Sequence, residues 1–444
     1  VCERRDNVRK LNPLMDIVIS QKKGIARGIY SACSANEYVI EAVLERASQK
    51  DEYALIESTA NQVNQFGGYT GMNPMDFKAF VYAIADRVQF PYKKIILGGD
   101  HLGPLTWRDE DTREAMERSK TLVREYVLAG YAKIHIDTSM MLKEDQSVEE
   151  FSTKVIADRS AVLCLEAEKA FDELSMKDPT SMHPVYILGS EVPIPGGSQD
   201  KEDIVEVTRV VDFENTVTTF QNVFAENHLE KAWENVIAIV VQPGVEFGDD
   251  TVHEYSREKA KELMEALRKF PGFVFEGHST DYQTASSLKE MVEDGIAILK
   301  VGPALTFALR EGLFALSYIE KELFRYDAGI ELSHFVETLE GQMMKNPANW
   351  NKHYHGSPDK IRFSIRFSYS DRCRYYLPME DVEYTIKHLM ENLRTKEIPL
   401  TLIRQFMPLQ YEKIRNHKLQ NRPELLLKDR IGNCIDDYLE ATVV

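Results

Sequence analysis

The segment Lys94–Pro104, KIILGGDHLGP, begins as an apolar run, halts at two glycines and then presents an acid and an imidazole side by side. A strand-ending turn favours Gly, Asn, Asp and Pro, which accounts for Asp100 but not for His101. Adjacent residues of a strand point to opposite faces, so the pair can serve one site only if the backbone turns there. Gly98, Gly99, Gly103 and Pro104 supply residues suited to such a turn. One group can then hold a metal while the other faces a substrate as base.

Seven further runs share this apolar character: GIYSACS (28–34), YALIEST (53–59), AKIHIDT (132–138), VYILGSE (185–191), VIAIVVQ (236–242), FVFEGHS (273–279) and AILKVGP (297–303). They are mostly apolar rather than alternating, as parallel strands buried on both faces are. Amphipathic stretches such as DFKAFVYAIADRV and SREKAKELMEALRKF lie between them, with apolar residues at helical spacing. Eight strand–helix units predict an α/β fold, a (β/α)8 TIM barrel over residues 1–325, ahead of a doubly wound open sheet. Residues 326–444 predict a mostly helical C-terminal region around the aromatic, arginine-rich HYHGSPDKIRFSIRFSYSDRCRYYL, packed on the barrel or against a partner subunit.

A net charge of −17 over 444 residues argues against nucleic acid or an anionic membrane as the main partner. Five scattered cysteines without CxxC spacing predict reduced thiols and a cytoplasmic location. No apolar run reaches the roughly 18 residues that span a bilayer, and the first twenty residues lack the apolar core of a secretion signal. Neither GxGxxG after the first strand nor GxxxxGK[ST] is present, so no nucleotide loop is predicted.

Active sites of such barrels sit at the C-terminal strand ends. There the sequence puts Cys33 and Ser34, Glu57, Asp100 and His101, Asp137, Glu191, Gln242, Glu276 and His278, and Lys300. The expected metal ligands are His101, Glu191, Gln242 and His278, binding a divalent cation for which Zn2+ is the first choice. Gln242 is the weakest of these and alternatively bonds substrate hydroxyls. The segment STANQVNQFGGYTGMNP (58–74) offers the neutral amides of Asn61, Gln62, Asn64 and Gln65 beside the bare backbone of Gly67 and Gly68. These suit a polyol or sugar phosphate, or else form a polar surface loop. Gly302 at the start of the helix after strand eight, with Ser279 and Thr280, is the expected phosphate position. Lys300 is a Schiff-base candidate or an ion-paired lysine. Arg362, Arg366, Arg372 and Arg374 either clamp a phosphate or pair with the acidic surface.

The motifs LIESTANQVNQFGGYTGM, ILGGDHLGP, KIHIDTSM, ILGSEVPIPGG, VQPGVEF, GHSTDYQ, ILKVGPALTFALRE, SYSDRCRYY and MPLQYEKIR occur in order between about residues 10 and 435. With them the chain closely resembles the class II D-tagatose-bisphosphate aldolase non-catalytic subunit family. It is also similar to ketose 4-epimerases, including tagatose-6-phosphate 4-epimerases, and more distantly to zinc-dependent class II fructose-bisphosphate aldolases. Asp100-His101 matches the Asp-His pair of those aldolases, and His278 resembles their later zinc histidine. Their remaining zinc histidine falls near Gln242. The resemblance implies a ketose or sugar-phosphate substrate and an aldolase catalytic subunit as partner, with self-association left open. As an enzyme, the chain would break and remake the C3–C4 bond of a ketose, with Asp100 as acid–base residue. Glu57, Asp137 or Glu276 would serve as second proton donor, Asp137 being equally suited to anchoring a loop. The competing expectation is a non-catalytic subunit that stabilises a separate aldolase.

Overall fold

The apolar runs pair in chain order into a closed parallel barrel in the computed structural model, which describes residues 11–147, 151–193 and 205–443. The strands are β1 Ile29–Cys33, β2 Ala54–Thr59, β3 Ile95–Leu102, β4 Lys133–Ile136, β5 Val185–Leu188, β6 Val236–Val241, β7 Val274–Gly277 and β8 Ile296–Val301. β8 closes on β1 with Lys300 opposite Ser31. Cys2, and Ile194–Gly197 of the quoted ILGSEVPIPGG motif, lie outside the described residues. Cys33, Cys164, Cys373 and Cys434 are free thiols. No helix among the described residues is long and apolar enough to cross a membrane.

The lower end of the barrel is plugged. The helix α1 Pro13–Lys22 starts at Asn12, whose side chain accepts from Leu14 N and donates to Ala132 O at 2.8 Å. It buries Leu14, Ile17 and Val18 against the inward Leu55, Ile96, Ile187 and Ile298. Helices α2 Glu37–Lys50, α3 Pro74–Val88, α4 Thr112–Leu128, α5 Thr153–Lys177, α6 Val210–Glu226, α7 Arg257–Leu267, α8 Ala285–Asp294 and α9 Pro303–Leu323 follow the strands in turn. Their ends carry local signals: α3 begins with Pro74 behind a reciprocal Asn73–Asp76 capping box and ends at Gln89 in the left-handed region.

After α9 come α10 Phe335–Lys345, α11 Pro358–Phe367, α12 Glu380–Arg394, α13 Leu400–Phe406, α14 Pro408–Arg415 and α15 Pro423–Thr442. The last helix returns to the barrel and packs on α2, α8 and α9. Arg46 on α2 pairs there with Asp429 and Asp436 at 2.8 and 2.9 Å, and Gly432 leaves room for its guanidinium. One apolar core therefore runs from Tyr30 to Ala441, across residue 325.

This region also covers the barrel mouth. Between α11 and α12 the chain turns at Asp371, whose φ is +32°. Asp371 accepts from Arg310 Nε on α9 at 2.9 Å, and both side chains are 2% exposed. The guanidinium also stacks on Phe307, 4.3 Å from the ring centre. The pair fixes the Arg372–Tyr375 turn against α9. Removing one member of a buried ion pair leaves the other charge without compensation. Arg310→Met is thus expected to lower stability by about 3–5 kcal/mol in urea unfolding; a loss under about 1 kcal/mol would remove this pair as the anchor of the roof.

Candidate metal centre

The polar residues of the barrel interior come from strand alternation. Lys133 and His135 share one face of β4, and the chain carries Asp137 on beyond its end. Glu276 and His278 are likewise two apart at the end of β7, as Lys300 and Gly302 are at the end of β8. Asp100 and His101 break the alternation. The register between β3 and β4 shifts between Gly99 and Leu102, and His101 takes φ +48°. This is a bulge, and it lets consecutive residues serve one site. Gly98 is required beneath it, because a Cβ there would meet the Glu57 carboxylate at 2.7 Å.

The result is a triangle of imidazoles. The rings of His101, His135 and His278 lie 4.9–5.0 Å apart, centre to centre. Together with Asp100 they form a buried group whose ligand atoms all lie within 4.8 Å of one another. Each imidazole contacts a carboxylate through one ring nitrogen: His101 Nδ1 to Asp137 at 2.7 Å, His135 Nδ1 to Asp100 at 2.9 Å, and His278 Nε2 to Glu276 at 3.0 Å. A carboxylate partner on one nitrogen is the arrangement that orients a metal-binding histidine and leaves the other nitrogen as ligand. His135 Nε2 is buried without a hydrogen-bond partner, as an unfilled ligand position is.

Beneath the imidazoles lies a buried ladder of ions. Lys133 Nζ sits 2.6 Å from Glu57 Oε1 and 2.6 Å from Glu276 Oε2, with all three side chains fully buried. Lys300 pairs with Glu57 and, at 2.8 Å, with Asp100. Cys33, Glu57 and Asp100 form a second donor group, which the Lys300 ammonium fills. Burial works against ionisation throughout, but the partners outweigh it for most groups. Asp100 is held well below the usual carboxylate range by His101, Lys300 and His135, and Asp137 is held down to about 2, chiefly by His101. His101 is raised by Asp100 and Asp137 despite burial, whereas burial takes His278 down to about 4. Burial pushes the Cys33 thiol well up, only partly offset by Lys300. The four carboxylates Glu57, Asp100, Asp137 and Glu276 face two ammonium groups, which leaves two negative charges beside three imidazoles. Charge and donor set both fit a divalent cation, and imidazole with carboxylate suits Zn2+.

Two expected ligands do not join this group. β5 ends at Leu188, so Glu191 stands beyond it on the surface and accepts from Thr208 Oγ1 at 2.7 Å. β6 ends at Val241, and Gln242 turns into the loop, where its Oε1 accepts from Gly244 N and Val245 N at 2.8 and 3.0 Å. His135 stands in the triangle in their stead. Its signal was legible in KIHID, where polar residues alternate with isoleucines in a strand buried on both faces.

A cavity of roughly 670 Å3, its open mouth included, lies above the group. Asp100, His101, His278 and Lys300 line its floor; Asn61, Gln62, Ser279 and Gly302 line its wall; Tyr69, Arg374 and Tyr375 line its roof. Glu57 and Glu276 lie beneath the cavity wall rather than on it. Asp137 spends its oxygens on His101 and on Ser139, which donates from N and Oγ at 3.0 and 2.7 Å. Asn64 pins its own loop, accepting from Phe66 N and Gly68 N while donating to Ala60 O. Gln65 donates to Arg118 O. Gly67 and Gly68, both at positive φ, turn this loop without lining the cavity themselves. Arg372 donates to Asn349 O and stacks on Tyr375, 4.7 Å from the ring centre, without lining the cavity. Arg372 and Arg374 hold the Tyr375 hydroxyl down to about 8 against the effect of burial. The residues missed by sequence reasoning here are Tyr69 and Tyr375, whose rings meet at 4.6 Å between centres, tilted by 59°, across two distant segments.

Fold and site together define a (β/α)8 barrel with a histidine-rich, metal-capable mouth roofed by its own C-terminal region. The chain belongs to the D-tagatose-1,6-bisphosphate aldolase subunit GatZ/KbaZ-like family, whose description matches residues 14–443. It is 44% identical over 425 residues to the D-tagatose-1,6-bisphosphate aldolase subunit GatZ of Salmonella paratyphi B, covering 96% of this chain and 98% of that protein. The Klebsiella pneumoniae GatZ is 43% identical over 425 residues, with the same coverage. Among solved structures, a probable tagatose 6 phosphate kinase from Sinorhizobium meliloti 1021 is similar at 42% identity and a TM-score of 0.84, over 94% of this chain and 100% of that one.

The donor set predicts about one divalent cation per chain in the purified protein. His135→Ala should lose most of it, whereas Glu191→Ala and Gln242→Ala should retain it, by elemental analysis of the dialysed variants. Full retention by His135→Ala would contradict the triangle.

Proposed function

We propose that the chain serves as the GatZ-type subunit of a class II D-tagatose-1,6-bisphosphate aldolase, working beside a separate catalytic subunit on ketose phosphates. The observation that carries this reading is the extent of the likeness to GatZ subunits, over 96% of this chain. It accounts for a C-terminal region that shares the barrel core and places exposed aromatics such as Phe363 and Phe367 on its surface.

A second reading has a specific observation in its favour: the buried group of Asp100, His101, His135 and His278, each imidazole on its own carboxylate. Residues kept solely for assembly need no such group. In this reading the mouth is a metal-dependent ketose-phosphate 4-epimerase site interconverting tagatose 6-phosphate and fructose 6-phosphate. The three histidines would hold the cation, which would supply Lewis-acid polarisation of ketose oxygens. Asp100, on the cavity floor, removes the C4 hydroxyl proton, and the C3–C4 bond breaks to leave an aldehyde and a C3 carbanion. Lys300, fixed 2.8 Å from Asp100, stabilises the negative charge that develops. The roof retains the aldehyde, which turns and is attacked on its other face by the C3 carbanion, so C4 is inverted. The new C4 oxygen takes its proton from the roof, where Tyr375 is poised with its hydroxyl held down to about 8. Glu57, Asp137 and Glu276 act on the floor by orienting Lys133 and the imidazoles rather than by meeting substrate.

Incubation of the purified chain with tagatose 6-phosphate decides between the two. Fructose 6-phosphate formed without a partner establishes the epimerase. In that event Asp100→Asn should lose activity by about 10^3-fold or more while keeping its metal. No turnover, with prolonged activity of an aldolase catalytic subunit mixed with the chain, establishes the stabilising subunit alone.

A further inference from the structure

The start of α9 is where a barrel of this kind offers backbone donors to a phosphate. Here those donors are already used. Gly302 N and Ala304 N both donate to Asp281 Oδ1, at 3.0 and 2.8 Å. Residue 303 is proline and has no N–H. Leu305 N and Thr306 N donate to Gly302 O. The first turn of a 21-residue helix therefore has its exposed donors satisfied by one carboxylate, 3% exposed, that lines the same cavity as Asp100 and His278. The carboxylate is placed there by its own strand end: Ser279 takes φ +53°, and Thr280 Oγ1 donates to Lys300 O at 2.7 Å, which ties the β7 loop to β8. The space is closed on the other side too, since a Cβ at Gly302 would meet Cys33 O at 3.3 Å.

We propose that Asp281 is a specificity-determining residue: it occupies the phosphate berth at the start of α9, so the mouth takes a ketose with a free hydroxyl at that end and rejects a bisphosphate. A phosphate entering there would meet the Asp281 carboxylate, with the N–H groups of Gly302 and Ala304 already engaged by it. Among the described residues lining the cavity, the one guanidinium is that of Arg374, from the roof, and it receives the sugar's single anionic group. This inference rests on the reading of the mouth as a ketose-phosphate site, and it explains why a chain so similar to aldolase subunits would not itself cleave a bisphosphate.

The test is calorimetric titration of the full chain, loaded with Zn2+, with fructose 6-phosphate, fructose 1,6-bisphosphate and inorganic phosphate. The wild type should bind the monophosphate about ten-fold or more tightly than the bisphosphate. Asp281→Ser, which frees Gly302 N and Ala304 N, should gain about ten-fold or more for bisphosphate and inorganic phosphate. Asp281→Asn keeps an oxygen on those donors but removes the charge, so it should fold like the wild type and discriminate less. Equal wild-type affinity for both sugars, or a folded Asp281→Ser with no gain for inorganic phosphate, would overturn the assignment. If the serine variant fails to unfold cooperatively, undiminished discrimination in Asp281→Asn overturns it instead. A wild type that binds neither sugar, with a serine variant that gains inorganic phosphate, defeats the ketose reading and leaves the filled berth standing.

Discussion

The organisation of the mouth depends on a run of buried charges in contact with one another. Lys133 is held between Glu57 and Glu276, and Lys300 between Glu57 and Asp100, all inside the barrel. In such surroundings each ion must have its partner within contact distance, because an uncompensated charge costs several kcal/mol. The two carboxylates at the ends of this ladder, Asp100 and Glu276, are the same groups that orient His135 and His278. The ladder therefore does more than fill the barrel: it fixes the directions of the imidazoles above it. It also explains a glycine at position 98, where a side chain would displace Glu57.

How far the sequence discloses this arrangement follows from how local each feature is. The barrel is legible because eight apolar runs alternate with amphipathic helices, and that pattern is a property of short windows. Asp100 and His101 are legible because glycines flank them. The bulge that turns both inward needs the shifted pairing with β4 and is not written in the segment itself. Glu191 and Gln242 are misplaced by small errors in where strands end: β5 stops three residues before Glu191, and β6 one residue before Gln242. His135, in the middle of a strand that looked like core, takes the place they were expected to fill. Asn64 was a reasonable sugar-binding amide by type, yet its side chain bonds within its own loop, to Ala60 O, Phe66 N and Gly68 N.

Arg374 and Gly302 were legible as candidates, but the contacts that place the roof and fill the berth could not be read locally. Arg374 and Tyr375 reach the cavity because Arg310 on α9 anchors the preceding Asp371, a contact across 61 positions. Gly302 looks like an open anion site until the β7 loop returns Asp281 onto it. These long-range contacts separate two properties that family membership joins. The chain belongs by descent to the GatZ/KbaZ-like family, while its mouth has a metal-capable floor and Asp281 on the donors at the start of α9. A partner subunit that performs the bisphosphate chemistry, and a mouth shaped for a monophosphate, are compatible in one molecule.

The central claim is that three imidazoles from β3, β4 and β7 share one cation. Anomalous diffraction at the zinc edge, from crystals of the full chain grown with Zn2+, tests it most directly. The account predicts a single strong peak inside the barrel mouth, bonded to His101, His135 and His278. A mouth without a peak, or a peak held by Glu191 or Gln242 instead of His135, would contradict it.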